Sequence, residues 1–493
     1  MMRIFHFPPA VGLLVVFAAL LSQGQAPASP PAQSPPPLVL TGGTVVDVSD
    51  WGQSANDLKN AIVIVEGGRI TAVGTAATVQ VPKDAQVINC AGKYIVPGLV
   101  DGFTGLDSQN QANADLYMGV TTAVVRQDSR RGPIDFSANP KPHLYPIDSV
   151  GTTDNWSLLA GRPGWTSILK EGEGTHPVEL SPETTARQLI ATSRLGTRVV
   201  FLGHDITAAN TQWVISRAHQ LGLVTYGEFI ATPYRVGIEA GVDALLHMGR
   251  YELGVIPDEL QEPLVTDPEG AAARTAYGYS ERLPPTDPHW RTYARFIASH
   301  HAAVLPTFSL YYAQLPSHRN LWEEPAASLL NPANMYHPTD PSTGELNYPL
   351  PNWAHRLPGF LQRMMEIDLR KRANQAASRL WQINQTIYTA FPHYLAGSGA
   401  DAMGSMSGVS EHTELELLVR LGLSPREALA AATNNYSLEF GWHELGLIAP
   451  GRRADILVLD ADPTSNIWNV RRISTLIFDG HVIDRQSLLH VKK

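Results

Sequence analysis

"KYIVPGLVDGFTGLDS", Lys93 to Ser108, is the stretch on which the fold turns. Apolar residues run to a Pro-Gly pair, resume, and meet a lone carboxylate, Asp101. A short apolar run bounded by turn residues is the pattern of a strand buried on both faces. With "YIVPGLV" (94–100) as the first strand, similar runs follow at "TTAVVRQ" (121–127), "HLYPIDS" (143–149), "TRVVFLG" (197–203), "LVTYGEF" (223–229), "VDALLHM" (242–248), "AAVLPTF" (302–308) and "HYLAGSG" (393–399). Helical patterns lie between them, including "SPETTARQLIATSRLG" and the long "MEIDLRKRANQAASRLWQINQTIYTA". Eight strands alternating with helices predict an α/β fold, a (β/α)8 TIM-type barrel whose chemistry sits where the strands end.

The two ends of the chain read differently. "PLVLTGGTVVDVS" and "AIVIVEGGRITAVG" alternate β-branched residues with paired glycines, the latter as a hairpin turning at Gly67-Gly68. After residue 441 the same style returns in "GLIAPGRRADILVLDADP" and "RISTLIFDGHVIDR". These segments predict one small β-sandwich built from both termini, with parts at 38–96 and 442–491 flanking a barrel at 97–441. Upstream, Arg3, the apolar run Val11–Leu21 and the small residues after it read as a signal peptide over 1–26, followed by a Pro-rich linker at 27–37. The run is short for a bilayer. Export to a periplasm or the extracellular space is expected, with no stable membrane span after cleavage; the alternative is an uncleaved anchor.

Composition narrows the partners. The chain has 493 residues and a formal net charge of −9, which argues against nucleic acid, since phosphate binding needs a basic face. Cys90 is the sole cysteine, so neither an intrachain disulfide nor a Cys-based metal site can form. A small molecule is the expected partner; oligomeric state is not legible. Segments 128–180 and 250–292, rich in Gly, Pro and Asp, and a third, 316–355, read as irregular loops that cover the barrel mouth or decorate the surface.

Several segments carry a specific resemblance: "GKYIVPGLVD" (92–101), "LYMGVTTAVVR" (116–126), "GVDALLHMG" (241–249), "LAGSGADA" (395–402), "HTELELLVRLGLSPREALAAATNN" (412–435) and "LGLIAPGRRADILVLDADP" (445–463). Together they resemble the amidohydrolase superfamily, in its exported imidazolonepropionase- and prolidase-like branch. That resemblance implies metal-dependent hydrolysis of carbon–nitrogen bonds, with ligands from His-x-His after strand one, a Lys or carboxylate on strand four, a His on strand five, a His on strand six and an Asp on strand eight. This chain departs from the scheme. Phe103 and Gly105 stand in place of His-x-His, Phe201 falls at the strand-four position, and Glu228 replaces the strand-five histidine. His247 and Asp401 are kept, and His204 follows strand four.

The surviving set, Glu228, His247, Asp401 and His204, offers a His-plus-carboxylate site for one divalent metal: Zn²⁺, or Mn²⁺ or Fe²⁺ given the oxygen-rich donors, or no metal at all. Asp401 is the candidate proton acceptor from an attacking water. Glu228 and Asp401 form a candidate metal-free acid and base pair. Tyr226 and His412 are candidate substrate contacts, His412 alternatively a helix-start residue. Two functions follow: a C–N hydrolase with a reduced, single-metal site, or a catalytically inactive relative that binds a small molecule or partner.

Overall fold

The computed structural model describes residues 35–126, 140–149, 181–203, 206–230, 232–261, 271–348, 350–391 and 393–490. Counting strands in chain order through the described residues, Leu99–Gly105 (β6), Val120–Arg126 (β7), His143–Ser149 (β8), Val199–Leu202 (β9), Val224–Gly227 (β10), Ala244–Leu246 (β11) and Ala303–Leu305 (β12) make one parallel sheet in the order β12-β11-β10-β9-β8-β7-β6. Side chains alternate across it as strand geometry requires. Phe103, Tyr145, Ile147, Val199, Phe201, Val224, Tyr226, Ala244, Leu246, Ala303 and Leu305 share one core. Val200, Leu202, Leu245 and Val304 join a second core shared with the helices.

The predicted eighth strand is not a regular one. Segment 394–400 makes an isolated parallel bridge, Tyr394 to Val304, and the Leu395 N–H donates to Val304 O at 2.9 Å. On its other side the Gly102 N–H donates to Ala396 O at 3.1 Å, and the Gly399 N–H to Phe103 O at 2.8 Å. The segment therefore ties the last strand to the first, and Leu395 joins the inner core while Tyr394 and Ala396 join the outer one.

The stretch read as one strand, 94–100, is in fact two. Tyr94–Pro97 (β5) pairs with Ile456–Leu459 (β13) and with Leu38–Val45 (β1) in a separate sheet, and the chain crosses to the parallel sheet at Gly98. A Cβ on Gly98 would lie 2.2 Å from Thr121 Oγ1, so only glycine allows this crossing. The separate sheet unites both ends of the chain. It runs β15-β14-β13-β5-β1-β2-β3, with Gln86–Asn89 (β4) also pairing with β1, as a single hydrogen-bonded path. Its remaining strands are Leu58–Glu66 (β2), Arg69–Gly74 (β3), Ile473–Phe478 (β14) and His481–Ile483 (β15).

Helix starts follow their capping residues. Ser424 and Glu427 form the reciprocal capping box at Pro425–Ala431, a motif whose cap alone contributes about 1 kcal/mol. Ser181 caps Pro182–Arg194, and Ser108 caps Gln109–Tyr117 by accepting from the Gln111 N–H. The loop expected at 250–292 is largely helical instead, with helices Ala271–Arg282 and Pro288–Ser299. The second presents an apolar face (Trp290, Tyr293, Ala294, Ile297) that buries against the core. Segment 316–355 is a chain of short 3-10 turns. Among the described residues no helix is long and apolar enough to cross a membrane. The signal, the linker up to residue 34 and nearly all of the 128–180 insertion lie outside them.

Candidate active site

Two clusters stand at the ends of the parallel strands. The first is aromatic. Phe103 on β6 and Phe201 on β9 are 2% and 1% exposed, with ring centres 6.3 Å apart. The His247 imidazole meets the Phe103 ring edge-on at 5.0 Å. The Arg126 guanidinium carbon lies 5.8 Å from the same ring centre. Two of the positions where the resemblance implies metal ligands are thus filled by a packed pair of phenyl rings, which have no ligating atom.

His247 is held tightly. It follows β11 with φ of +60°, and its Nδ1 lies 2.6 Å from Oγ1 of Thr307, itself at φ of +46° just past β12. Two adjoining non-glycine residues in the left-handed half of backbone space store strain, as functional sites often do. His247 Nε2 is 3.7 Å from Glu228 Oε2. Arg250 Nε donates to Glu228 Oε1 at 3.0 Å. This carboxylate is nearly buried and neutralised by a guanidinium, a poor state for a metal ligand.

The second cluster surrounds Asp401, which is 3% exposed. Gln111 Nε2 donates to Asp401 Oδ2 at 3.2 Å, while Gln111 Oε1 accepts from the Asp107 N–H at 2.9 Å and from Ser108 Oγ at 3.0 Å. The amide of Gln111 therefore couples the turn after β6 to Asp401, just past segment 394–400. A cavity of about 480 Å³ opens here, within the range of small-molecule sites. Asp107, Gln111, Asn334, Asp401 and Ser407 line it, with Leu329, Met335 and Met406 as apolar walls. The Ser407 hydroxyl is buried and has no hydrogen-bond partner among the described residues.

Beneath both clusters lies a set of buried acids. Asp101 Oδ1 accepts from the Ser398 N–H at 2.8 Å and the Phe103 N–H at 3.3 Å, fastening β6 to segment 394–400. Burial pushes its carboxyl up to about 6, against those hydrogen bonds. Glu414 accepts from the Phe308 and Ser309 N–H groups at 3.0 and 2.7 Å, yet burial raises it to about 8. Asp115 and Glu411 are raised well above the usual carboxylate range, by burial first and by the Asp101 charge second.

Comparison with known proteins agrees with this plan. Residues 383–483, which include Asp401, match the model of the Amidohydrolase family. The match spans about a fifth of the chain and takes in three of the segments that carry the amidohydrolase resemblance, 395–402, 412–435 and 445–463. Imidazolonepropionase of Rhizobium rhizogenes is 25% identical over 122 residues, 24% of this chain and 28% of that protein. The chain's matches to its curated relatives span 28% of their length or less. Two solved structures share the fold over nearly their whole length. A Xaa-Pro dipeptidase with bound methionine in its active site has a TM-score of 0.57 at 14% identity, covering 91% of this chain and 99% of its own. Molinate hydrolase has a TM-score of 0.60 at 15% identity, covering 93% of this chain and 98% of its own.

The residues singled out from sequence are distributed unevenly in this amidohydrolase-like chain. Glu228 and His247 come together at the aromatic cluster, whereas Asp401 borders the cavity beside Gln111. Among the described residues no three His, Cys, Asp or Glu side chains are grouped so as to hold a metal ion. His204 lies outside the described residues. Tyr226 is fully buried in the inner core, its ring 5.7 Å from that of Phe440. His412 sits inside helix Val409–Leu421 with Nε2 2.6 Å from Met118 O, and burial lowers its pKa to about 3. Sequence reading missed Gln111, Asp107 and Ser407. Gln111 and Asp107 follow directly from the end of β6, which was the available signal; Ser407 had none.

Proposed function

We propose that the protein hydrolyses carbon–nitrogen bonds of amide or dipeptide-like molecules in the cavity beside Asp401. The observation that carries this reading is the pairing of Asp401, oriented by Gln111, with Asp107 and Ser407 around one 480 Å³ cavity. In this reading Asp401 takes a proton from water as the oxygen attacks the amide carbon, then returns it to the leaving nitrogen. Asp107 is the second carboxyl of the acid–base pair, replacing Glu228 in that role. The Ser407 hydroxyl donates to the carbonyl oxygen as its charge develops.

The residues present do not fit a two-metal centre, because Phe103, Gly105 and Phe201 supply no ligand and Arg250 engages Glu228. A single Zn²⁺, Mn²⁺ or Fe²⁺ on His247 and Glu228 needs a further donor, and His204 is the candidate. We read the seven strands with segment 394–400 as a (β/α)8 barrel over 97–441, and the other sheet as a β-sandwich from 38–96 and 442–491. Export rests on the N-terminal sequence.

A second reading, a binder without turnover, is favoured by the same phenyl pair. The deciding experiment is turnover of N-acyl amino acids, dipeptides and lactams, with and without added divalent ions, by the native chain and by Asp401→Asn. Hydrolysis that falls at least about 100-fold in the variant supports the first reading. No hydrolysis under any condition, with ligands still raising the melting temperature of both chains, establishes the second.

A further inference from the structure

The long helix Gly359–Tyr388 buries side chains only in its C-terminal half, where Ala377, Trp381, Ile383 and Ile387 meet the core. Its N-terminal half presents one face to solvent. Phe360, Met364 and Ile367 are 66%, 62% and 61% exposed, and Trp353, in the turn leading into the helix, is 60% exposed. Positions 360, 364 and 367 share one helix face. Lys371 continues that face, Arg363 borders it and Arg356 precedes it; all three are exposed. Arg370 and Arg372 pair with Glu345 and Asp368 at 2.7 and 2.8 Å, whereas Arg356, Arg363 and Lys371 have no ion pair among the described residues. Over 353–372, five Arg or Lys stand against two acids, in a chain whose net charge is −9.

We propose that this half-helix is an interfacial anchor that lays Phe360, Met364 and Ile367 into a bilayer bearing anionic headgroups. A stripe of large apolar side chains bordered by basic ones is the pattern of helices that lie in the membrane interface, and Trp353 suits the headgroup level. Charges farther than about 8 Å are screened at physiological salt, so the local basic cluster outweighs the acidic remainder of the chain. A second copy of the chain fits less well. The four exposed side chains offer on the order of 500 Å², where a stable dimer buries about 800 Å² on each partner. Pairing about a two-fold axis would also bring the basic borders of the two stripes together.

The test uses the full chain with Met364→Cys carrying an environment-sensitive fluorophore, Cys90 being buried. A Lys83→Cys label on an exposed loop is the control. Vesicles with about one-third anionic lipid should blue-shift the 364 label and leave the 83 label unchanged. Phe360→Ser with Ile367→Ser should weaken that response at least about tenfold, and so should 0.5 M salt, both roughly as interfacial binding predicts. The proposal fails if the 364 label does not respond to anionic vesicles, or if the double substitution leaves the response intact. It also fails if the shift rises with protein concentration in the absence of lipid, which would identify a second copy as the occupant.

Discussion

Replacing Phe103 by alanine tests whether the aromatic cluster is a packed plug or a loose cover. The ring is 2% exposed and touches three partners: Phe201, the edge-on His247 imidazole and the Arg126 guanidinium. Truncating a phenylalanine in a core of this kind costs about 3–5 kcal/mol, from lost transfer energy and from the cavity left behind. The edge-on ring contact alone accounts for about 0.5–1.5 kcal/mol of that sum. Urea unfolding, followed by far-UV circular dichroism, should show the midpoint falling by on the order of 1 M at unchanged slope. The variant should still gain no tight divalent-ion site, since it frees His247 without adding a donor. A loss below about 1 kcal/mol would refute the packing argument and make Phe103 a mobile lid. Tight zinc binding by the variant would refute the idea that Arg250 keeps Glu228 from acting as a ligand.

Other perturbations follow from the same geometry. A Cβ on Gly105 would sit 3.0 Å from Ala400 O and 3.1 Å from Asp401 Oδ1, so Gly105→Ala should cost about 1–3 kcal/mol and displace Asp401. Thermal melts and turnover read both effects, and restoring a histidine there should be worse. Gln111→Leu removes the donor to Asp401 Oδ2 and should reduce kcat more than KM, as expected of a residue that positions the proton acceptor. The buried acids set a pH dependence. Their folded pKa values are raised, so the folded chain holds protons that the unfolded chain has released. Stability is therefore complete below the ordinary carboxylate range and is lost as pH rises through about 6 for Asp101 and about 8 for Glu414. Between pH 5 and 8 the stability should fall, by at most about 1.4 kcal/mol per pH unit from Glu414 and, up to about pH 6, as much again from Asp101, and Glu414→Gln should flatten the slope above pH 6. Midpoints level over that range would overturn the assignment. Buried, neutral His412 acts in the opposite sense, stabilising above about 6.5 and losing that contribution as pH falls toward 3.

Strand periodicity was legible because it is local. Alternate residues of each apolar run face opposite cores, so 199/201, 224/226, 244/246 and 303/305 could be placed on strands from pattern alone. The Ser424 and Ser181 caps were equally legible, being set by residues two or three apart. The hand-over at Gly98 was not, because its cause is the hydroxyl of Thr121, distant in sequence. The helix at 288–299 was hidden among glycines and prolines until its apolar face met the core. The same division holds at the site. Sequence alone determined that Phe103, Gly105 and Phe201 cannot bind metal, since that is a property of the side chains themselves. Tertiary structure alone decided that Phe103 packs on His247, that Arg250 takes Glu228, and that Asp401 turns to Gln111 and the cavity. Each of those outcomes is a contact that a local pattern does not encode, where distance and burial fix the chemistry.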